Sequence, residues 1–275
     1  MIKSILFVLM LAGFVFCSNT DPTAQVSGAY LVRGTNVRLR TAPTINAERV
    51  ALLQGGDAFQ VTLKTTQSET IAGQQGHWYQ GTVETGPEAG KSGWVFEPLL
   101  VPKDQGPYSL VSSASQIEDH DQAIQALNEI IRDFPRYSDV GLYSFQEIAR
   151  AEIDIRECWK SRISEAGARS QADLLQKLRE AITSGKADDL RRLTSCSFIF
   201  MEGACAGDPL PRPATKEEIV QIRELAIKVD WSKTNNDCAP MAAEGDFCYS
   251  FQKTNGRYFF DFICTEIRVP PDSGR

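Results

Sequence analysis

Hydrophobic and polar residues alternate between about Gly34 and Leu100, and this alternation predicts β-strands. Val37 and Leu39 stand two residues apart, and Val61 and Leu63 repeat the spacing after a glycine-rich turn. A period of two places successive apolar side chains on one face of a strand. Turn residues recur at roughly 8–12-residue spacing within this stretch. The pattern therefore predicts a small all-β barrel or sandwich.

Beyond residue 115 the apolar residues recur at three- and four-residue spacing, which is the period of an amphipathic helix. Leu127 and Phe134 belong to such a stripe, and Pro135 ends it. Ser170 is suited to begin a later helix as its N-cap, and Gly185 is suited to end it. The spacing predicts helices over about 116–134, 139–163, 170–185 and 187–193.

The last part of the chain returns to alternation. Phe198 and Phe200 stand two apart, and Thr215 and Glu218 have the spacing of a capping box that opens a helix. Asn255-Gly256, between two aromatic-rich stretches, is the preferred two-residue turn of a β-hairpin. These features predict an α+β domain with an antiparallel sheet.

The turn at Asn255-Gly256 also predicts the register of its hairpin. It places Phe251 opposite Phe260, so that aromatic rings stack on one face. The same register puts Cys248 and Cys264 on opposite faces of the hairpin, where a disulfide cannot reach. We therefore predict that these two cysteines are not bonded to each other.

Four runs in the first stretch resemble the bacterial SH3 (SH3b) domain. They are Val37-Arg38-Leu39-Arg40-Thr41-Ala42-Pro43, Gly55-Gly56-Asp57, Trp78-Tyr79 and Gly93-Trp94-Val95. The resemblance covers residues 28–102, about a quarter of the chain. It departs from the family at Ala42, where glycine is common, and at Leu99, where an aromatic residue is common.

The resemblance implies a non-catalytic SH3-like barrel that binds a cell-wall peptide or glycan, or that serves as an interaction module. The candidate ligand-binding residues are Arg38, Arg40, Trp78, Tyr79 and Trp94. In the alternative interpretation the arginines are solvated surface residues, and Trp78 and Trp94 fill the barrel core.

The first 20 residues have the pattern of a secretory signal peptide. Lys3 supplies a positive charge, and the run from Ser4 to Phe16 is apolar or small and too short to span a bilayer as a helix. Cys17 follows directly, and it is either lipidated or removed when the signal is cleaved after it. Either route exports the protein to the periplasm, to an outer-membrane anchor or to the outside of the cell.

Without Cys17 an even number of cysteines remains. They are Cys158, Cys196, Cys205, Cys238, Cys248 and Cys264. In an oxidising compartment this number predicts disulfides, whose pairing the sequence leaves open. None of the cysteines forms a C-x-x-C pair and the chain has two histidines, so a zinc site is not expected. No other metal and no cofactor is expected either.

Together these patterns predict a multi-domain protein. The predicted parts are a signal peptide (1–20), the SH3b-like barrel (28–102), a linker (103–115), a helical segment with a helical hairpin (116–192) and a disulfide-containing α+β domain (193–275). The net charge of −6 argues against a nucleic-acid partner, which would require a basic surface.

The sequence offers little for catalysis. Every cysteine after the signal follows His77 and His120, which is the reverse of the order in papain-like peptidases. There is no G-x-S-x-G or H-E-x-x-H motif and no phosphate-binding glycine-rich loop. Two carboxylates could serve a glycosidase, but the acidic residues on the second predicted helix are better explained as a solvated face. They are Glu147, Glu152, Asp154 and Glu157.

We therefore expect an exported, non-catalytic envelope protein whose barrel binds peptidoglycan or an envelope protein. Two alternatives stay open. In one, the C-terminal domain is the binding module and the barrel is a spacer. In the other, the barrel targets a cell-wall hydrolase.

Overall fold

A computed structural model describes residues 23–137, 142–162, 166–203, 209–233, 238–241 and 245–267. The chain divides into two compact units between Lys103 and Asp104. The predicted signal segment, with Cys17, and also Cys205 lie outside the described residues. Over the described part of the chain, no helix is long and apolar enough to cross a membrane.

The first unit is built from β-strands, as the alternation predicts. Its strands are β1 (Thr23–Val32), β2 (Val37–Arg40), β3 (Arg49–Leu53), β4 (Ala58–Thr65), β5 (Glu69–Ile71), β6 (Gln74–Gly76), β7 (Trp78–Val83), β8 (Ser92–Phe96) and β9 (Leu100–Pro102). Seven of them form one antiparallel sheet in the order β3-β2-β8-β7-β4-β1-β9. That this sheet is an SH3 barrel stays a prediction.

The seven-stranded sheet buries side chains on both of its faces. The main core contains Leu39, Phe59 and Val95, which are inaccessible to solvent. A smaller cluster of Trp78, Trp94 and Phe96 packs separately from that core. The two clusters alternate along the strands because neighbouring residues of a strand point to opposite faces.

The long loop between β4 and β7 contains a hairpin that the alternation does not predict. β5 and β6 pair through a two-residue turn at Ala72 and Gly73, both with positive φ (51° and 82°). Such a turn matches the twist of a hairpin, but it suits glycine or asparagine rather than alanine. Ala72 therefore holds a conformation that L-residues with a Cβ avoid.

The second unit contains the helices. They are α1 (Pro107–Ala114), α2 (His120–Asp133), α3 (Phe145–Ser161), α4 (Gln171–Ser184), α5 (Ala187–Arg191) and α6 (Lys216–Ala226). The predicted caps are confirmed: Ser170 accepts from the Asp173 amide, Gly185 ends α4 with φ 72°, and Thr215 and Glu218 form a capping box.

Two predictions about the helical segment are wrong. Residues 103–115, predicted as a linker, instead form α1 over most of their length, and α1 buries Val111 and Ala114. Pro107 explains its start, since proline suits the first position of a helix. The second predicted helix starts later than expected, at Phe145, because Ser144 caps it. Residues 138–141 lie outside the described part.

The C-terminal sheet is mixed rather than antiparallel throughout. Its strands are β10 (Thr194–Gly203), β11 (Cys238–Met241), β12 (Gly245–Thr254) and β13 (Arg257–Ile267), in the order β10-β13-β12-β11. β11, β12 and β13 pair antiparallel, but β10 pairs parallel with β13. The prediction of an antiparallel sheet is therefore wrong for its first strand.

A β-bulge changes the register of the β12–β13 hairpin partway along it. The turn at Asn255-Gly256 and the pairing of Phe251 with Phe260 are as predicted, with ring centroids 5.3 Å apart. Beyond the bulge, Cys248 lies directly opposite Cys264 rather than on the other face. Both cysteines are disulfide-bonded. The predicted placement of the two cysteines on opposite faces is therefore wrong, and the register does not prevent a bond between them.

The core of the second unit lies between α4, α5, α6 and the C-terminal sheet. Leu174, Leu190, Ile222 and Phe247 belong to this cluster, which therefore continues across the predicted boundary at residue 193. α3 is attached to β10 by the Cys158–Cys196 disulfide. With a separation of 38 residues, such a bond stabilises the fold by roughly 3–4 kcal/mol, mainly by restricting the unfolded chain.

Replacing Ala72 by glycine is expected to stabilise the β5–β6 hairpin by about 0.5–1 kcal/mol, because the positive φ strains a residue with a Cβ. Native-state hydrogen exchange of the hairpin amides measures this local opening free energy. Gly73→Ala is the matched control, and it is expected to destabilise the hairpin by a similar amount. No atom lies within 4 Å of the added Cβ, so this loss would arise from the positive φ and not from a steric clash. Faster exchange in Ala72→Gly would contradict the prediction.

Candidate binding groove

A groove with a volume of about 310 Å³ lies on the first unit. It combines an apolar floor with a polar and cationic rim. The lining residues are Thr35, Asn36, Val37, Arg38, Arg40, Ile45, Ile71, Trp78, Phe96 and Leu99. Three of the five predicted ligand-binding residues, Arg38, Arg40 and Trp78, therefore come together in it.

The floor of the groove is formed by the smaller aromatic cluster. Trp78 on β7 lies opposite Phe96 on β8, and their ring centroids are 5.5 Å apart. All three rings of the cluster are buried, with Trp78 3%, Phe96 5% and Trp94 7% exposed, but Trp94 is not among the groove-lining residues. The floor is therefore an apolar surface of largely buried rings. Trp94 does not line this groove, and its role in ligand binding stays a prediction.

One wall of the groove is supplied by the β5–β6 hairpin. The indole N–H of Trp78 donates to Glu69 Oε2 at 3.0 Å. Two residues further along β5, Ile71 packs against the aromatic cluster and lines the groove. The hydrogen bond therefore fixes the position of the wall relative to the floor.

Arg40 supports the rim from a half-buried position. Its guanidinium donates to the Ala47 carbonyl at 2.8 Å and so holds the 41–48 loop, which carries the exposed Ile45. Burial, together with the nearby charge of Arg38, lowers the pKa of Arg40. Its backbone lies so close to Gly93 that a Cβ there would be 2.6 Å from the Arg40 carbonyl. The glycine of the Gly93-Trp94-Val95 run thus permits this approach of β2 and β8.

Arg38 is the cation that the groove offers to a ligand. Its side chain is exposed, and it forms no hydrogen bond or ion pair with another described residue. It stands two residues before Arg40 on β2, so both arginines project from the same side of the strand. An anionic group bound at the rim would meet Arg38 without displacing a protein carboxylate.

Tyr79, the last of the predicted ligand-binding residues, does not line the groove, and its role in ligand binding stays a prediction. It follows Trp78 directly in β7 and therefore points to the other face, where it belongs to the main core. Its hydroxyl donates to Glu97 Oε1 at 3.0 Å, and Glu97 Oε2 accepts from the His77 amide at 2.9 Å. Burial and this bond to Glu97 raise the pKa of Tyr79 above its usual range.

Sequence reasoning missed most of the apolar lining. Phe96 and Leu99 follow the Gly93-Trp94-Val95 run, and Phe96 could have been assigned from its two-residue spacing to Trp94. Ile71 ends β5, a strand of three residues that is too short to show a periodic pattern, and Ile45 lies in the 41–48 loop, so no sequence signal points to either.

The carboxylates considered for catalysis have different roles along α3. Glu147 closes the capping box with Ser144, and Glu152 pairs with the buried Arg156 at 2.8 Å. Asp154 and Glu157 line a wide depression on the second unit. No group of three or more metal-ligand side chains occurs within the described ranges.

Tyr79→Phe is expected to lower the stability of the protein by about 1 kcal/mol near neutral pH, because Glu97 loses a partly buried hydrogen bond. The raised pKa means that the folded state holds the phenolic proton more tightly than the unfolded state does. The contribution of Tyr79 to the free energy of unfolding is therefore present below the pKa of about 10 that tyrosine has in the unfolded state, and it is lost as the pH rises above that value. Urea unfolding of the unaltered protein and of Tyr79→Phe between pH 7 and 11 measures the difference in their stability. A difference that grows with pH would contradict the prediction.

Comparison of the chain with protein-family models, with curated proteins and with solved structures gives no match.

Proposed function

We propose that this is an exported, non-catalytic envelope protein whose first unit binds a cell-wall peptide or glycan, or an envelope protein, in the groove over Trp78. The observation that carries the proposal is the meeting of an apolar aromatic floor with an unpaired, exposed Arg38 in one groove. The resemblance of residues 28–102 to SH3b domains supports the same kind of ligand.

The groove chemistry favours an extended peptide that carries a carboxylate next to an apolar side chain. The rings of Trp78 and Phe96 are tilted by 54° to each other and only 3% and 5% of the two residues is exposed, so they offer a small apolar contact to a side chain or a sugar ring. Arg38 offers a planar set of N–H donors that matches a carboxylate. Ile71 and Ile45 flank this surface and would enclose the bound segment.

Export is the second part of the proposal. The pattern of the first 20 residues supports it, and so does the Cys158–Cys196 disulfide, because such bonds persist in oxidising compartments. The fate of Cys17 decides between an anchored and a released protein.

The groove chemistry also supports binding rather than catalysis. His77, one of the two histidines, has its Nδ1 2.8 Å from the Thr65 carbonyl and is not among the groove-lining residues. The lining side chains include no carboxylate and no cysteine. A nucleophile with its base is therefore not assembled in this groove.

Arg38→Ala is expected to reduce retention of the protein on purified sacculi by about fivefold at low salt, since an exposed charge-assisted hydrogen bond is worth about 1 kcal/mol. The measurement is a sedimentation assay with the processed full chain at several salt concentrations. Added salt should weaken the retention of the unaltered protein more than that of Arg38→Ala.

Arg49→Ala is the matched control, because Arg49 is exposed on the neighbouring strand β3 and does not line the groove. It removes the same charge and should leave retention unchanged. Equal loss in both variants would show that net charge alone is responsible. Release of muropeptides from the sacculi would favour the hydrolase alternative instead.

A further inference from the structure

The second unit contains a cationic cavity that is separate from the groove. It has a volume of about 330 Å³ and is lined by three arginines, Arg162, Arg191 and Arg192. Cys158, of the disulfide to β10, and Asp188 lie in the same lining. Three positive side chains thus border one open cavity, with one carboxylate among them.

Arg162 is held in a fixed orientation. Its guanidinium lies over the rings of Trp159 and Phe259, with 5.2 and 5.1 Å to the ring centroids. One terminal nitrogen donates to the Thr194 carbonyl, and the other lies 3.6 Å from Cys158 Sγ. These contacts leave other N–H donors of the guanidinium unused, and they fix its plane before any ligand arrives.

In the described lining of the cavity, Asp188 is the one carboxylate beside three arginines. Within the described ranges no carboxylate forms an ion pair with Arg162, Arg191 or Arg192. Burial, followed by the charge of Arg191, lowers the pKa of Arg162 to about 10. The fold therefore maintains a repulsion between cations that a bound anion would relieve.

We propose that this cavity binds a small, doubly charged oxyanion, such as a phosphoryl group or a dicarboxylate. The guanidinium of Arg162 would donate two hydrogen bonds to one pair of oxygens of the anion. Arg191, the last residue of α5, and Arg192, which follows it, are exposed and would contact the anion from the other side. Arg191 also borders the depression with Asp154 and Glu157. The repulsion of those carboxylates places the anion on the Arg162 side.

The alternative explanation is that Arg162 only packs α3 onto the sheet and that the other two arginines are solvated. That explanation predicts no saturable anion binding. The two accounts can therefore be separated by one titration.

The test is isothermal titration calorimetry of the processed full chain with inorganic phosphate, at pH 7.5 and at an ionic strength held constant with sodium chloride. We expect saturable binding that the double variant Arg191→Ala/Arg192→Ala weakens about tenfold or more. Both side chains are exposed, so this variant is expected to fold. A parallel titration with malonate distinguishes dicarboxylates from phosphoryl groups, and saturable binding of either anion supports the proposal.

Arg136→Ala/Arg150→Ala is the charge-matched control, since both arginines are exposed in the second unit and neither lines the cavity. It should bind phosphate as the unaltered protein does. Arg38→Ala should also leave phosphate binding unchanged, which separates this site from the groove. Absence of saturable binding of both anions, or equal weakening in the two double variants, would overturn the proposal.

Discussion

The strict alternation of side chains along β7 and β8 is the constraint on which the first unit depends. Trp78 and Phe96 project to one face of the sheet, while Tyr79 and Val95 project to the other. Two apolar layers therefore arise from consecutive residues, and the groove lies over the smaller one. The arginines of β2 reach the same floor because Arg40 is paired with Trp94 across the strands.

The sequence predicted the strands of this unit well, but it predicted only part of the groove. Arg38, Arg40 and Trp78 were identified because the run of motifs places them near one another. Tyr79 was assigned to the same site as Trp78, although a period of two separates neighbours onto opposite faces. The Ile71 wall was not predictable, because it depends on a hairpin whose turn uses Ala72, a residue that does not normally signal such a turn.

In the second unit the local signals were more reliable than the long-range ones. Helix caps such as Thr215 with Glu218 depend on residues three apart, and the structure forms them as expected. The parallel pairing of β10 with β13 joins residues more than 60 positions apart and leaves no local pattern. The bulge follows from the single extra residue Asp261, whose carboxylate accepts from the Ser250 hydroxyl at 2.7 Å. One extra residue in a strand moves the side chain of every residue beyond it to the opposite face of the sheet from the one that the uninterrupted register predicts.

The β5–β6 hairpin has a consequence for how this fold can diversify. It is paired only within itself in the sheet arrangement of the described residues, and it meets the floor through Glu69 and Ile71. Insertions, deletions or exchanges at its tip would reshape one side of the groove and leave the seven-stranded sheet intact. The shape of the groove can therefore change through a few tip residues, without a change in the stability of the core each time.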